Sequence, residues 1–139
     1  LSITKKTKVI IPVHWGGASP EMQDIMNLAK INNIHVIEDA CMGIGAKINN
    51  KSPGTYGIVN AFSMHPLKSL NAMGDGGMVV TNNDKLAIWM RKYRNHGMIN
   101  RNTIEFWGVN MRIQPLQAIV AMHGLKKLNS VISKRNLKF

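Results

Sequence analysis

The sequence predicts an α/β fold with a mixed, mostly parallel β-sheet. Two observations lead to this prediction. Residues 8–38 read as a strand, a helix and a second strand joined by short links, and such a βαβ unit pairs its strands in parallel with a right-handed crossover. Two later strand-like runs, at 58–63 and 77–81, lie too close together for a helical crossover, so the fourth strand is expected to be antiparallel to its neighbour.

The first unit begins with the β-branched run at 8–14, which predicts a buried strand. Ser19 and Pro20 have the residue types of an N-cap and a first helical residue, so the following helix is expected to begin there. The amphipathic pattern of this helix ends near Asn32-Asn33. The run 34–38 then predicts the second strand, which ends in an acidic residue.

After the fourth strand the sequence predicts two helices. Asn83 or Asp84 is expected to cap the first of them, and Gly97 is expected to follow its end as the C′ residue. Residues 98–112 are expected to form a loop. A second helix is expected from position 115 to about position 128. The apolar side of that helix is assigned to Leu116, Ile119, Val120 and Leu125.

The composition indicates a globular chain with a strong positive charge. The chain carries 18 Lys and Arg against 7 Asp and Glu, a formal net charge of +11. No nucleic-acid-binding motif accompanies these charges, so the composition favours an anionic small ligand or partner over nucleic acid. Cys41 is the only cysteine, no zinc-type spacing is present, and no apolar run has membrane-spanning length. The sequence therefore predicts a cytoplasmic protein without a metal site or a membrane partner.

Three polar residues lie at the ends of predicted strands or just after them. Asp39 follows the second strand, Ser63 ends the third, and Lys68 comes shortly after Ser63. Ligands of open α/β sheets bind at the carboxyl ends of the strands. A carboxylate, a hydroxyl and an amine at this edge suit pyridoxal 5′-phosphate, because a lysine forms a Schiff base with its aldehyde and a carboxylate pairs with its pyridinium nitrogen. The spacing alone leaves a second interpretation open, in which Asp39 is a cap and Lys68 is a surface charge.

Six segments of the chain follow one another in an order typical of a known family. They are IPVHWGG, EMQDIMNLAK, VIEDACMGIGA, FSMHPLKSLNAMGDGGMVVTNN, RKYRNHG and WGVNMRIQPLQAIVA. These segments resemble the sugar aminotransferases of the DegT/DnrJ/StrS type, which are fold-type I enzymes dependent on pyridoxal phosphate (PLP). The resemblance implies an aspartate-aminotransferase-like large domain with helices on both faces of its sheet. It also implies transamination of a nucleotide-linked keto-sugar with an amino-acid donor, expected to be L-glutamate, in polysaccharide biosynthesis.

The same resemblance implies roles for individual residues. Lys68 matches the Schiff-base lysine, Asp39 matches the acid that keeps the pyridine nitrogen protonated, and Ser63 matches a phosphate-binding serine. Asn110 matches an asparagine that reaches the phosphate of the neighbouring subunit's cofactor, which requires a homodimer with shared active sites. Met42 stands where relatives commonly carry Gln or His, so it is expected to lie at the cofactor without making a firm hydrogen bond.

Members of this family are longer than the present chain, so the resemblance implies the central part of a large domain. Residues 1–125 are expected to belong to the PLP-binding domain and residues 126–139 to start the connection toward a small C-terminal domain. The chain is expected to be inactive by itself. Two alternatives remain open at this point. One is a non-catalytic fragment or basic binding module in which Lys68 is idle, and the other is a PLP-dependent sugar dehydratase, although that branch carries histidine at the lysine position.

Overall fold

A computed structural model describes residues 2–138 and confirms a mixed, mostly parallel sheet accompanied by helices. A short 3-10 turn at Trp15–Gly17 precedes the first helix. In chain order the elements are β1 (Val9–Ile10), α1 (Met22–Ile31), β2 (His35–Asp39), β3 (Val59–Ser63), β4 (Gly77–Val80), α2 (Asp84–Tyr93), β5 (Met98–Asn100), β6 (Thr103–Ile104) and α3 (Pro115–Asn136).

The four main strands lie in the order β1-β2-β3-β4. The pairs β1–β2 and β2–β3 are parallel, and β4 is antiparallel to β3, as the short connection predicts. The first strand is shorter than predicted, because its pairing with β2 stops after Ile10 and resumes only at the isolated bridge between Val13 and Asp39. Pro12 lies in this gap, and proline has no N–H to donate to a strand ladder.

Two apolar clusters support the sheet. In the first, Met22 and Ala29 of α1 pack against Val36 of β2. In the second, Ala121 of α3 packs against Met64, Leu70 and Ala72, which all belong to the connection between β3 and β4. Burial of these side chains removes apolar surface from water and so fixes the position of that connection. The segment that carries Lys68 is therefore anchored in the core at both of its ends.

The start of α1 differs from the prediction. The helix begins at Met22, and the residue at its N-cap position is Glu21, whose side chain makes no capping hydrogen bond. Ser19 is not the cap, because its hydroxyl forms a hydrogen bond with Nδ1 of the buried His14 at 2.8 Å. The Ser19 side chain, which the local pattern assigns to the helix N-cap, thus makes a tertiary contact with His14 instead. The helix ends at Ile31, with Asn32 as the C-cap, near the predicted position.

The region after β4 is partly as predicted. Asn83 is the N-cap of α2, and its side-chain oxygen accepts a hydrogen bond from the Leu86 N–H at 3.1 Å. The prediction for Gly97 is wrong, since α2 ends at Tyr93 with Arg94 as its C-cap, and Gly97 lies beyond the C′ position. The prediction of a loop over 98–112 is also wrong in part. The antiparallel hairpin of β5 and β6 forms there from strands too short to give a clear sequence pattern.

Helix α3 is longer than predicted and packs through a different face. It continues to Asn136, beyond the predicted end near Leu128. Three residues of the predicted apolar side are mostly exposed: Leu116 by 78%, Ile119 by 63% and Leu125 by 53%. The buried positions are Ala121 and Leu128. The small side chain of Ala121 lets the helix axis approach the core closely. Apolar periodicity alone does not reveal which face of the helix packs against the core.

The predicted domain division between residues 125 and 126 falls inside α3. The structure does not test this division, which stays a prediction. Across residues 2–138, no helix is both long and apolar enough to span a membrane.

Candidate active site

Asp39 and Ser63 lie on the same face of the sheet, at its carboxyl edge. They are the last residues of the parallel strands β2 and β3. Asp39 pairs in register with Ala61, and Ser63 follows Ala61 by two residues. Because side chains alternate between the faces of a strand, Asp39, Ala61 and Ser63 share one face. The sequence-based expectation that the carboxylate and the hydroxyl meet at one edge therefore agrees with the geometry.

Cys41 joins these two residues. Its backbone N–H donates a hydrogen bond to Oδ1 of Asp39 at 3.2 Å, and its sulfur accepts one from the Ser63 N–H at 3.0 Å. The thiol also lies 3.7 Å from the carbonyl oxygen of Ala61. Partial burial raises the pKa of the Cys41 thiol, and the neighbouring Asp39 carboxylate raises it further. A neutral thiol is a poor nucleophile, so Cys41 serves here as a link between the two strand ends.

Lys68 lies at the tip of a closed loop between β3 and β4. Hydrogen bonds from the Met64 N–H to the Gly76 carbonyl (2.7 Å) and from the Ala72 N–H to the Met64 carbonyl (3.0 Å) close the base of this loop. At its tip the Lys68 N–H donates to the His65 carbonyl at 2.9 Å. The Lys68 side chain is half-buried, and its positive charge lowers the pKa of the Cys41 thiol, against the larger effects that raise it. The ammonium group is thus within electrostatic range of the link between Asp39 and Ser63.

Helix α3 holds the lysine loop from outside. Gln117 donates a side-chain hydrogen bond to the Asp75 carbonyl at 2.8 Å, and Arg135 donates one to the Ser69 hydroxyl at 2.7 Å. Gly74 has a φ of 152°, which residues with a side chain rarely adopt. A Cβ at this position would lie 2.6 Å from the Gln117 amide nitrogen. The glycine-rich turn after the lysine therefore allows α3 to approach closely. Sequence reasoning found no signal for Gln117 or Arg135.

Sequence reasoning also missed a buried hydrogen-bonded pair behind this edge. His14 and Glu38 are both fully buried, and Nε2 of His14 lies 2.9 Å from Oε2 of Glu38. The two residues lie 24 positions apart, and although each falls in one of the segments that carry the resemblance, neither was assigned a role there. Their burial and their mutual hydrogen bond emerge only from the fold.

The other two predicted site residues differ in position. Met42 lies next to Cys41 and is 41% exposed. Asn110 is exposed and forms an isolated bridge with Asn95, which follows the end of α2. Within residues 2–138, no hydrogen bond joins Asn110 to Asp39, Ser63 or Lys68. The described chain thus brings together Asp39, Ser63 and the lysine loop, and it does not bring Asn110 to them.

The chemistry of these groups fits PLP. Asp39 offers a carboxylate, which accepts hydrogen bonds and attracts a protonated ring nitrogen. The oxygen of Ser63 already accepts a hydrogen bond from the His65 N–H at 3.2 Å, so its proton remains free for a phosphate oxygen. Lys68 supplies a primary amine on a fixed loop. In the part of the chain that the structure describes, no group of three or more His, Cys, Asp and Glu side chains is placed to hold a metal ion.

Comparison with known proteins connects this arrangement to one family. The model of the DegT/DnrJ/EryC1/StrS aminotransferase family matches residues 1–139. A UDP-N-acetyl-3-dehydro-alpha-D-glucosamine 3-aminotransferase from Acidithiobacillus ferrooxidans is 43% identical over 119 residues, which cover 86% of this chain and 32% of that protein. The chain thus spans about a third of the length of the curated relatives that it matches.

Solved structures share the fold. The S. venezuelae protein DesV, determined in complex with a ketimine intermediate, has a TM-score of 0.88 and 37% identity. That match covers 92% of this chain and 34% of DesV. A variant of the GDP-4-keto-6-deoxymannose-3-dehydratase ColD with bound GDP-perosamine has a TM-score of 0.86 and 26% identity, covering 96% of this chain and 39% of ColD. The fold therefore accommodates both transamination and dehydration, and individual residues must distinguish them.

Proposed function

Because this chain belongs to the DegT/DnrJ/EryC1/StrS aminotransferase family, we propose that it forms the central part of a PLP-dependent enzyme that aminates a nucleotide-linked keto-sugar. Enzymes of this family use PLP. The observation that carries the proposal is that Asp39 and Ser63 share one face at the carboxyl edge of the sheet and that the loop of the half-buried Lys68 leaves directly from Ser63. The activity belongs to the whole protein, of which this chain supplies the residues that would hold the cofactor.

Each of the three residues has a distinct task in this proposal. The bound cofactor supplies an electron sink for the carbon from which a proton is removed. Asp39 would keep the ring nitrogen protonated through its negative charge, and the Ser63 hydroxyl would donate a hydrogen bond to the phosphate. Lys68 would hold the cofactor through Nζ. Its free amine would take a proton from the substrate carbon as a general base and deliver it to the cofactor carbon as a general acid.

The substrate class follows from the relatives. The Acidithiobacillus relative is named for a UDP-linked sugar, and other relatives are named for dTDP- and GDP-linked sugars. We assign a nucleotide-linked keto-sugar to this enzyme as the amino acceptor and L-glutamate as the amino donor. The net charge of +11 is compatible with a diphosphate-containing substrate. Such a reaction in polysaccharide biosynthesis belongs in the cytoplasm, where nucleotide-sugars are made.

A homodimer with shared sites completes the proposal. Asn110 is exposed, and hydrogen bonds from the Val109 N–H to the Tyr93 carbonyl (2.8 Å) and from the Met111 N–H to the Arg94 carbonyl (2.9 Å) hold the backbone on either side of it. A fixed and exposed asparagine that does not contact the local site is suited to reach the phosphate bound by a second subunit.

The alternatives depend on Lys68. A sugar dehydratase of this family carries histidine at the lysine position, and this chain carries lysine in a closed loop. In a non-catalytic fragment or a basic binding module, Lys68 would have no covalent role. Both alternatives predict that borohydride reduction attaches no cofactor to Lys68.

The experiment is borohydride reduction of the full-length protein in the presence of PLP, followed by peptide mass spectrometry. We expect the pyridoxyl group on Lys68, and we expect Lys68→Ala to lose both this label and the visible absorbance of the attached cofactor. Lys127→Ala is the matched control, because Lys127 is an exposed lysine of α3. A Lys68→Ala protein that keeps the label and the absorbance would refute the proposed function.

A further inference from the structure

A buried carboxylate with a complete set of donors lies directly behind the candidate site. Glu38 is 0% exposed, and both of its oxygens are occupied. Oε1 accepts hydrogen bonds from the backbone N–H groups of Tyr56 (2.6 Å) and Gly57 (2.8 Å). Oε2 accepts one from the Gly54 N–H (2.7 Å) and lies 2.9 Å from Nε2 of His14. Four donors converge on this carboxylate, so it ties the loop 54–57 to the end of β2.

His14 connects this carboxylate to Asp39. Its side chain is held from both sides, by Glu38 at Nε2 and by the Ser19 hydroxyl at Nδ1, 2.8 Å away. Its backbone N–H donates to the Asp39 carbonyl at 3.0 Å, and the Asp39 N–H donates to the Pro12 carbonyl at 3.0 Å. Both backbone groups of Asp39 are therefore bonded to a segment that the buried pair of His14 and Glu38 fixes in place.

The same pair supports the turn that holds the Asp39 carboxylate. In this turn the Gly43 N–H donates to the Ala40 carbonyl at 3.0 Å. A Cβ at Gly43 would lie 3.0 Å from the Cβ atoms of both His14 and Pro53, so the turn is packed tightly between them. The Cys41 N–H in this turn donates to Oδ1 of Asp39. The position of the Asp39 carboxylate thus depends on a turn that rests against His14.

From these contacts we propose that Glu38 and His14 are positioning residues of the cofactor site. They would not touch the cofactor, because both are fully buried and strand alternation places Glu38 on the face of β2 opposite to Asp39. They act by fixing the backbone of Asp39 and the turn that orients its carboxylate. This inference rests on the proposed function, in which Asp39 binds the cofactor ring.

Glu38→Gln tests the inference with little change in size. The amide keeps one acceptor oxygen for Tyr56 and Gly57, but its NH₂ group faces the Gly54 N–H, which then loses its acceptor. His14 can still bond to the amide by changing its tautomer. In the full-length protein we expect the dissociation constant for PLP to rise about tenfold, the factor that corresponds to about 1.4 kcal/mol. We also expect the visible circular dichroism of the saturated cofactor to weaken, because the ring is less firmly oriented.

A structural control separates positioning from general destabilisation. Ala29→Gly lies in the last turn of α1 and weakens that helix without touching the network of Glu38 and His14. We expect it to lower the thermal midpoint while the PLP dissociation constant stays within about twofold of wild type. Ser19→Ala is a milder second variant, which removes only the partner of His14 Nδ1, and it is expected to shift the dissociation constant and the dichroism in the same direction as Glu38→Gln.

The outcomes distinguish failure of the positioning role from failure of the proposed function. If Glu38→Gln and Ser19→Ala bind PLP with the affinity and dichroism of Ala29→Gly, the positioning role is refuted and the proposed function stands. If the wild-type protein itself attaches no PLP at Lys68, the proposed function fails and the positioning role fails with it. If Glu38→Gln does not fold, Ser19→Ala decides the question, since wild-type affinity and dichroism in that variant would refute the positioning role.

Discussion

The anchoring of the lysine loop can be tested at two leucines that flank Lys68. Leu70 is 3% exposed and packs with Met64, Ala72 and Ala121, whereas Leu67 is 87% exposed. The two residues have the same side chain and lie on opposite sides of the proposed covalent anchor. Leu70→Ala and Leu67→Ala therefore remove the same atoms from one loop and differ only in the surroundings of those atoms.

The magnitude follows from the packing around Leu70. A Cβ added at Gly124 of α3 would lie 3.1 Å from Cδ1 of Leu70, so the helix backbone itself lines this side of the leucine. A backbone wall moves less than a flexible side chain, and the cavity left by truncation stays largely open. Truncation of buried leucines costs about 2–5 kcal/mol, and we expect a value in that range for Leu70→Ala. Leu67→Ala should change the free energy of unfolding by no more than about 0.5 kcal/mol.

The assay is urea unfolding of the full-length variants, with borohydride labelling of Lys68 as a second readout. Leu70→Ala should unfold at lower urea concentration and label more slowly, because the loop that presents the amine loses its anchor. Leu67→Ala should match wild type in both measurements. Equal unfolding midpoints for the two variants would show that the loop is not anchored through Leu70, and the reasoning from burial would be wrong.

Two further predictions concern Cys41 and Asn110. Because burial and the Asp39 carboxylate raise the pKa of the Cys41 thiol above its ordinary value of 9.0, Cys41 should react with iodoacetamide at pH 8 more slowly in the folded protein than in urea, as measured by peptide mass spectrometry. Because this pKa is raised in the folded state, the protonated thiol stabilises the fold at neutral pH. This contribution is lost as the pH rises above 9.0, since the thiol of the unfolded chain ionises before that of the folded chain. If the dimer shares its sites, mixing inactive Lys68→Ala and Asn110→Ala subunits should restore up to about a quarter of wild-type activity per site, because a mixed dimer has one site with both residues intact. Absence of recovery in mixtures shown by mass spectrometry to contain mixed dimers would contradict the role of Asn110.

The local sequence pattern was sufficient to predict the positions of most strands of the sheet. The runs at 34–38, 58–63 and 77–81 lie within one residue of β2, β3 and β4, because consecutive β-branched and apolar residues bounded by turn residues leave few other structures. The antiparallel fourth strand was also predictable, since the length of the connection excludes a helical crossover. The residues at the carboxyl ends of these strands followed from the topology.

What the pattern did not predict depends on contacts between distant residues. Ser19 has the residue type of an N-cap, yet its hydroxyl forms a hydrogen bond with His14. Nothing in the local sequence predicts that this contact replaces the cap. Helix α3 has apolar residues on more than one side, and the pattern selected the exposed Leu116 and Ile119 instead of the buried Ala121. The choice of packing face depends on how closely α3 approaches Leu70, which is a property of the tertiary structure.

The two consecutive acids at the end of β2 illustrate how one strand can serve both the site and its support. Glu38 and Asp39 have the same chemistry, but alternation along the strand places them on opposite faces. Glu38 faces the interior, where four donors use its full hydrogen-bonding capacity and leave it no role toward a ligand. Asp39 lies on the half-buried face, where it is beside Cys41 and shares an edge with Ser63. A shift of one residue in the register of β2 would exchange these environments, burying Asp39, the proposed cofactor-binding acid, and exposing Glu38. The interior network of Glu38 therefore also specifies the register that presents Asp39, because Asp39 cannot gather the backbone N–H groups of Gly54, Tyr56 and Gly57 from the opposite face.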